Sequence, residues 1–382
     1  MEFSKNLQQK LDERQANNTL RNLGVQSNFI DFSSNDYLGF SKSEAIFNEA
    51  HQYLLEQNIT QNGSTGSRLL SGNHKLYDEV ETILCKFHNT EAALVFNSGY
   101  DANVGFFSTV PQRGDVVLYD EYSHASIRDG ITMSNAKAYK FKHNNLEALE
   151  KLILRHSELV SESHQNIYVV TESVFSMDGD SPDLATISQI SKTHNAFLIV
   201  DEAHALGVFG QGKGLIQALG LEDQVFARLV TFGKGLGGHG AAILGSTLLK
   251  QYLVNFARSF IYTTALPPHA LATIMCAYQE LSQTQNIEKL KHNIRFFKAE
   301  MKNQQLQNHF IEGNSAIHCC IISGNNKAKS IAQKLQDNGF DVKPILSPTV
   351  PKSQERLRFC LHGYNSEKEI IEVLILLTKY IR

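Results

Sequence analysis

Short, almost wholly apolar runs constrain this chain more than any other feature: AALVFN at 92–97, DVVLYD at 115–120, IYVVTE at 167–172, FLIVDE at 197–202, RLVTF at 228–232 and AAILGS at 241–246. Runs of this length without polar alternation read as strands covered on both faces. Most are separated by stretches long enough for a helix, so residues 44 to 250 are expected to form an α/β domain around a mostly parallel sheet. Ligands on such sheets bind at the carboxyl ends of the strands. The residues just past each run are therefore where chemistry is expected.

Beyond LPPHA at 266–270 a long helical stretch runs toward Lys302, and the strand-like AIHCCIIS and RLRFCLHG then alternate with helices. This predicts a smaller α+β domain carried on a long helix. The expected division is an N-terminal helix and extended segment at 1–40, a large domain at 41–280 and a small C-terminal domain at 281–382. With 36 basic against 39 acidic residues and a net charge of -3, the chain has no footprint for gripping nucleic acid. Its five cysteines include no C-x-x-C pair, which argues against a disulfide framework or a zinc site, and no other metal site is expected. MEFSKNLQQKLDERQ reads as a charged amphipathic helix rather than a leader, and IIEVLILLTKYI is too short and too interrupted by Glu372 and Lys379 to span a bilayer. A cytoplasmic protein without membrane or nucleic-acid partners is expected.

Three nucleotide motifs fail on inspection. Asp201, Glu202, Ala203 and His204 spell the magnesium box of ATP-driven helicases, but the near P-loop at Gly207–Lys213 follows the box instead of preceding it. The Ser or Thr that a P-loop needs is replaced by Gly214. GKGLGG at 233–238 matches the dinucleotide fingerprint, yet no Asp or Glu falls between Asp223 and Glu280 to hold a ribose. What remains is a lysine, Lys234, in a glycine-rich turn past one strand, with Asp201 and His204 at another strand end. A pyridoxal phosphate enzyme needs that set: an amine to hold the cofactor and a carboxylate to keep the pyridine nitrogen protonated. NSGYDAN at 97–103 supplies a turn and a helix N-terminus for the phosphate, with Ser98, Gly99 and Tyr100 as donors. His124 in YSHAS is placed to stack on the ring.

The motifs FSSNDYLGF, GSTGSRLLSGNH, NSGYDAN, YSHASI, TESVFSMDGD, VDEAHALGVFG, TFGKGLGGHGAAILGS and RLRFCLHG, in this order over nearly the whole chain, resemble the α-oxoamine synthases, pyridoxal phosphate enzymes of fold type I. The resemblance implies a decarboxylative condensation of an amino acid with an acyl thioester. It implies Lys234 as the Schiff-base lysine, Asp201 as pyridinium partner, His204 near the ring hydroxyl and His124 on the ring face. Ser98, Gly99, Tyr100, Thr231 and Ser176 become phosphate and ring contacts, and Arg21, Asn35, Thr349 and Arg358 handle substrate, Arg358 as a carboxylate clamp. Thr263 and Thr264, with GSTGSR at 63–68, would complete the neighbouring subunit's pocket in a homodimer.

FIYTTALPP at 260–268 and LDERQANNTLR at 11–21 are most similar to the branch that joins L-alanine to a pimeloyl thioester, carried on CoA or an acyl carrier protein. Rival readings within the family take glycine with acetyl-CoA or serine with a long acyl-CoA; an aminotransferase or aldolase would share the lysine and aspartate but not the ordered motifs. Two departures bear on acyl choice. The stretch between Arg21 and Phe32 is short, implying a trimmed hairpin, and FCLHGYN follows Arg358 where small residues ending in histidine are usual.

Overall fold

The computed structural model describes residues 3–21, 23, 28–160 and 165–382. The short stretch after Arg21, where a trimmed hairpin is expected, falls largely outside the described residues. In chain order the first elements are α1 (Lys5–Ala16), β1 (Ile30–Asp31), α2 (Glu44–Glu56), α3 (Lys75–His88), β2 (Ala92–Phe96), α4 (Gly99–Phe107), β3 (Val116–Asp120), α5 (Ala125–Met133), β4 (Lys137–Phe141), α6 (Leu146–Val160), β5 (Ile167–Glu172), α7 (Leu184–Thr193) and β6 (Phe197–Asp201). There follow α8 (Leu215–Ala218), β7 (Ala227–Thr231), β8 (Ala241–Gly245), α9 (Thr247–Phe256), α10 (Arg258–Ile261), α11 (Pro268–Leu281), α12 (Asn286–Asn303), β9 (Ile317–Ile321), α13 (Asn325–Asp337), β10 (Phe340–Asp341), β11 (Lys343–Ile345), β12 (Arg356–Cys360) and α14 (Glu367–Ile381).

Two compact units emerge. The large one, residues 35–176 and 180–291, holds a seven-stranded sheet in the order β2-β8-β7-β6-β5-β3-β4. Strands β4, β3, β5, β6 and β7 pair in parallel, and β8 runs antiparallel to both β7 and β2. Six strands therefore share one direction and end at one edge. Successive side chains point to opposite faces, so Val116 and Leu118 join Leu149, Ile153 and Ile187 under α6 and α7, while Val117 joins Phe106, Ile127 and Leu253 under α4, α5 and α9. Burial on both faces is why these strands read as unbroken apolar runs. The exception is β4, a sheet-edge strand in which only Phe141 is fully buried and Lys137, Ala138 and Lys140 are exposed.

The small unit comprises residues 1–34, 177–179 and 292–382. Its antiparallel sheet has the order β11-β12-β9. Residues 1–34 group with it rather than forming a segment of their own. The reason is hydrogen bonding: β1 pairs in parallel with β10, Cys360 N donates to the Phe32 carbonyl at 2.8 Å, and Asn365 Nδ2 donates to the Asp31 carbonyl at 3.1 Å. The division also falls within α12, at Lys291 and His292, rather than at 280 and 281. The long helical stretch expected beyond 266–270 toward Lys302 is two helices: the chain breaks after Leu281, and Thr284 Oγ1 accepts from Asn286 N at 3.2 Å where the next begins.

Candidate active site

The sheet order reverses between β3 and β5: the chain leaves β3 for β4 on one side and leaves β5 for β6 and β7 on the other. Ligand crevices open at such a point, outside the strand carboxyl ends. Asp201 closes β6 there, 5% exposed. Its carboxylate accepts from Asn103 Nδ2 and from Ala203 N, each at 2.9 Å. The Asn103 amide gives its other hydrogen to Ser126 Oγ at 3.0 Å, and that hydroxyl lies 2.8 Å from His124 Nδ1. Ser126 N also points at Nδ1, at 3.3 Å, so Nδ1 is an acceptor and the ring proton belongs on Nε2. Burial pushes the His124 pKa down, against the pull of Asp201, so the ring is neutral and suited to stacking.

Glu172, at the end of β5, accepts from His124 N at 2.6 Å. Burial, then the negative charge of Asp201, drives its pKa well above the carboxylate range. Two buried acids thus divide their roles, Glu172 neutral and Asp201 held by donors.

Lys234 arrives from the turn after β7. Its Nζ lies 2.8 Å from His204 Nε2; His204 Nδ1 lies 2.6 Å from Tyr37 Oη, which donates to Asn35 Oδ1 at 3.3 Å. The hydrogen bonds run consistently one way, from the Lys234 amine to imidazole to phenol to amide, which fixes where Lys234 Nζ lies. The glycines have steric causes. A Cβ on Gly235 would lie 2.5 Å from the Leu206 carbonyl oxygen, and one on Gly237, at φ +62, would lie 2.1 Å from Ser41 N. The lysine turn is pressed against two backbones, and only glycine permits that approach.

At the other end, α4 begins beside Thr231. A Cβ built on Gly99 would sit 3.6 Å from Thr231 Oγ1, which donates to the Gly240 carbonyl at 3.2 Å. Ser98 caps the helix by accepting from Asp101 N at 3.1 Å. The Tyr100 side chain turns out to Asp129 at 2.8 Å, leaving its backbone N–H as the group offered at the helix start. Ser176 is half-buried in the loop after β5. Thr263 and Thr264 lie beside the same turn of their own chain, where Asn97 Nδ2 donates to Thr263 Oγ1 at 3.0 Å and to the Thr264 carbonyl at 2.6 Å. Ala265 N donates to the Gly66 carbonyl at 2.9 Å, joining the two small-residue stretches to each other.

A carboxylate fixed by donors, an amine on a histidine, a neutral imidazole and a helix N-terminus next to a threonine hydroxyl fit pyridoxal phosphate in donor chemistry. The magnesium-box reading fails here too. Glu202, fully buried, is bound by Arg228 Nη2 at 2.5 Å, and its Oε1 accepts from Ile216 N at 2.9 Å. A Cβ on Gly214 would already press on that carboxylate at 2.7 Å.

The remaining expected residues belong to the small unit. Arg21 and Thr349 line one cleft of about 210 Å³ with Arg14, Lys329 and Pro344–Pro348. Arg358 lies on β12, opposite Lys343 and Cys319. Sequence reasoning missed Asn103, Ser126, Glu172 and Tyr37. Each stands inside a quoted motif, so the available signal was the motif itself; only the folded register ties Asn103 to Asp201.

The fold and site define a pyridoxal phosphate enzyme of fold type I. The family model for aminotransferase class I and II matches residues 27–374. An 8-amino-7-oxononanoate synthase from Emericella nidulans is 39% identical over 91% of this chain and 88% of its own. A serine palmitoyltransferase from S. paucimobilis, solved with PLP bound as its myriocin adduct, superposes with a TM-score of 0.87 at 28% identity, covering 98% of this chain and 96% of that one. An 8-amino-7-oxononanoate synthase from Francisella tularensis gives 0.78 at 30% identity, covering 93% and 98%. The chain belongs to the aminotransferase class I and II family, as an α-oxoamine synthase, and is a pyridoxal phosphate-dependent acyltransferase. No helix among the described residues is long and apolar enough to cross a membrane.

Proposed function

We propose that this enzyme condenses L-alanine with a pimeloyl thioester, releasing carbon dioxide and the thiol, to give 8-amino-7-oxononanoate for biotin synthesis. The observation that carries this reading is its 39% identity, across nearly all of both chains, with a relative of that name. When bound, pyridoxal phosphate supplies an electron sink for loss of the alanine Cα proton and later of carbon dioxide. Asp201 holds the proton on the pyridine nitrogen, and Asn103 and Ala203 N keep its carboxylate aimed. Thr231 and the first N–H groups of α4, at Gly99 and Tyr100 behind the Ser98 cap, bind the phosphate, with Ser176 at the ring edge. His124 covers one ring face. Lys234, held beside His204, would bind the cofactor through its amine and then take the Cα proton with the same group.

Arg358 offers a guanidinium fork for the amino-acid carboxylate, and Asn35 orients substrate. The cleft that joins Arg21 and Thr349 to Arg14 and Lys329 would offer cations to the anionic parts of the acyl donor, on CoA or a carrier protein. The enzyme acts in the cytoplasm as a two-fold homodimer, in which the paired Gly63–Arg68 and Tyr262–Leu266 stretches reach the neighbouring copy's phosphate through Thr263 and Thr264. Exposed Leu70 and Tyr262, 84% and 73% accessible in the single chain, are apolar surface such an interface would cover.

Product mass after incubating the holoenzyme with alanine, glycine or serine and with pimeloyl, acetyl or palmitoyl thioesters tests the substrate assignment. The aminoketone from alanine and pimeloyl thioester should dominate. A dominant product from serine and palmitoyl thioester, or from glycine and acetyl thioester, would overturn it.

A further inference from the structure

Outside the chain of contacts from Asp201 to His124, the large unit contains a second cluster of charged groups. Asp120, at the end of β3, is wholly buried, and its carboxylate accepts from Tyr122 N at 2.8 Å and Asn144 N at 2.9 Å. His143, just past β4, places Nδ1 2.9 Å from Asp120 Oδ1 and Nε2 2.9 Å from Asp180 Oδ2. Asn144 Nδ2 adds a 2.6 Å bond to the same Asp180 oxygen. The His143 ring is stacked on Tyr122 at 4.4 Å between centroids and meets Phe175 edge-on at 4.5 Å.

This geometry selects one protonation state. Both ring nitrogens face carboxylate oxygens, and only an imidazolium has a hydrogen for each. Burial opposes the charge, but the hydrogen bonds to Asp120 and Asp180 outweigh it and push the His143 pKa up to about 10. The partners come from three strand ends: Asp120 and Tyr122 after β3, His143 after β4, Phe175 and Asp180 after β5. Two of those loops carry the site. Tyr122 is two residues before His124, and Phe175 is next to Ser176.

We propose that His143 is a positioning residue, a charged clip that ties the β3–α5 loop to the loop after β5 and thereby fixes where His124 can lie against the cofactor. The clip complements the bond from His124 N to Glu172, which anchors the far end of the same loop. Without it the Tyr122 ring loses the imidazolium it stacks on, and the buried Asp120 and half-buried Asp180 carboxylates lose their shared counter-charge. The proposal rests on His124 being the ring-covering residue.

A double-substitution cycle of His143→Gln with His124→Ala separates the clip from that premise. The readouts are the dissociation constant of pyridoxal phosphate and the visible circular dichroism of the bound cofactor, with the thermal midpoint of the cofactor-free protein as a fold control. His143→Gln should weaken cofactor binding and diminish the visible signal about tenfold when His124 is present, the coupling expected of groups acting through one another, and less than about twofold in the His124→Ala background. Equal losses in both backgrounds, or no loss with His124 present, would overturn the clip. An unchanged signal in His124→Ala alone would instead remove the premise. Asp180→Asn, which breaks one side only, should give the same pattern at smaller size and serves if His143→Gln fails to fold.

Discussion

Replacing Gly235 by alanine tests whether the lysine turn is positioned by backbone contact. The residue is not at positive φ, so the substitution adds a methyl group without twisting the chain. That methyl would lie 2.5 Å from the Leu206 carbonyl oxygen, where ordinary contact begins near 3.4 Å. The lysine turn and the His204–Leu206 turn must then part by about 0.9 Å. The Lys234–His204 hydrogen bond, now 2.8 Å, would stretch toward about 3.7 Å and be lost. A misplacement of about 1 Å costs on the order of a hundredfold in rate, whereas overpacking costs about 1–3 kcal/mol of stability, which a domain of this size survives. Steady-state kcat/KM for the condensation, measured beside the thermal midpoint, should therefore fall about a hundredfold in a folded protein. A kcat/KM within threefold of the parent would refute the argument.

Asp201→Asn removes a unit charge at contact distance from the pyridine nitrogen it is assigned to hold. At an effective dielectric of ~20 and ~3 Å that is about 5 kcal/mol, so alanine Cα-proton exchange followed by NMR should slow at least a thousandfold, and parental exchange rates would contradict the role. His143 also makes stability depend on pH. Its folded pKa, raised from 6.5 to about 10, means its contribution is complete below about pH 6.5 and disappears as pH rises through about 10. The stability gap between parent and His143→Gln in urea unfolding should therefore be wide at about pH 6 and close at about pH 11; a gap unchanged across that range would count against the charged clip.

Much of this architecture is written locally. The six apolar runs became β2, β3, β5, β6, β7 and β8 because burial on both sheet faces removes polar alternation. AIHCCIIS and RLRFCLHG contain β9 and β12. β4 is not legible because, unlike the other edge strand β2, it is mostly exposed, and KAYKF contains no apolar run to find. Residues 1–34 were not assignable to the small unit because the pairing that attaches them, β1 with β10, joins positions some 310 residues apart, with no local pattern to announce it. The site divides similarly. Lys234, Asp201, His204 and His124 follow strand ends and could be named from order alone. Asn103, which links Asp201 to Ser126, and Asp180, which holds His143, take their meaning from neighbours that only folding supplies. The glycine-rich turn around Lys234 is visible in sequence, and its reason lies in the close-packed backbones of Leu206 and Ser41.

Lys234 is the lysine assigned to hold pyridoxal phosphate, and every other role at the site is set by its position. Borohydride reduction of the holoenzyme, proteolysis and peptide mass analysis should find the pyridoxyl group on the peptide containing Lys234 and nowhere else. A label on another lysine, or a cofactor that reduction leaves unattached, would contradict it.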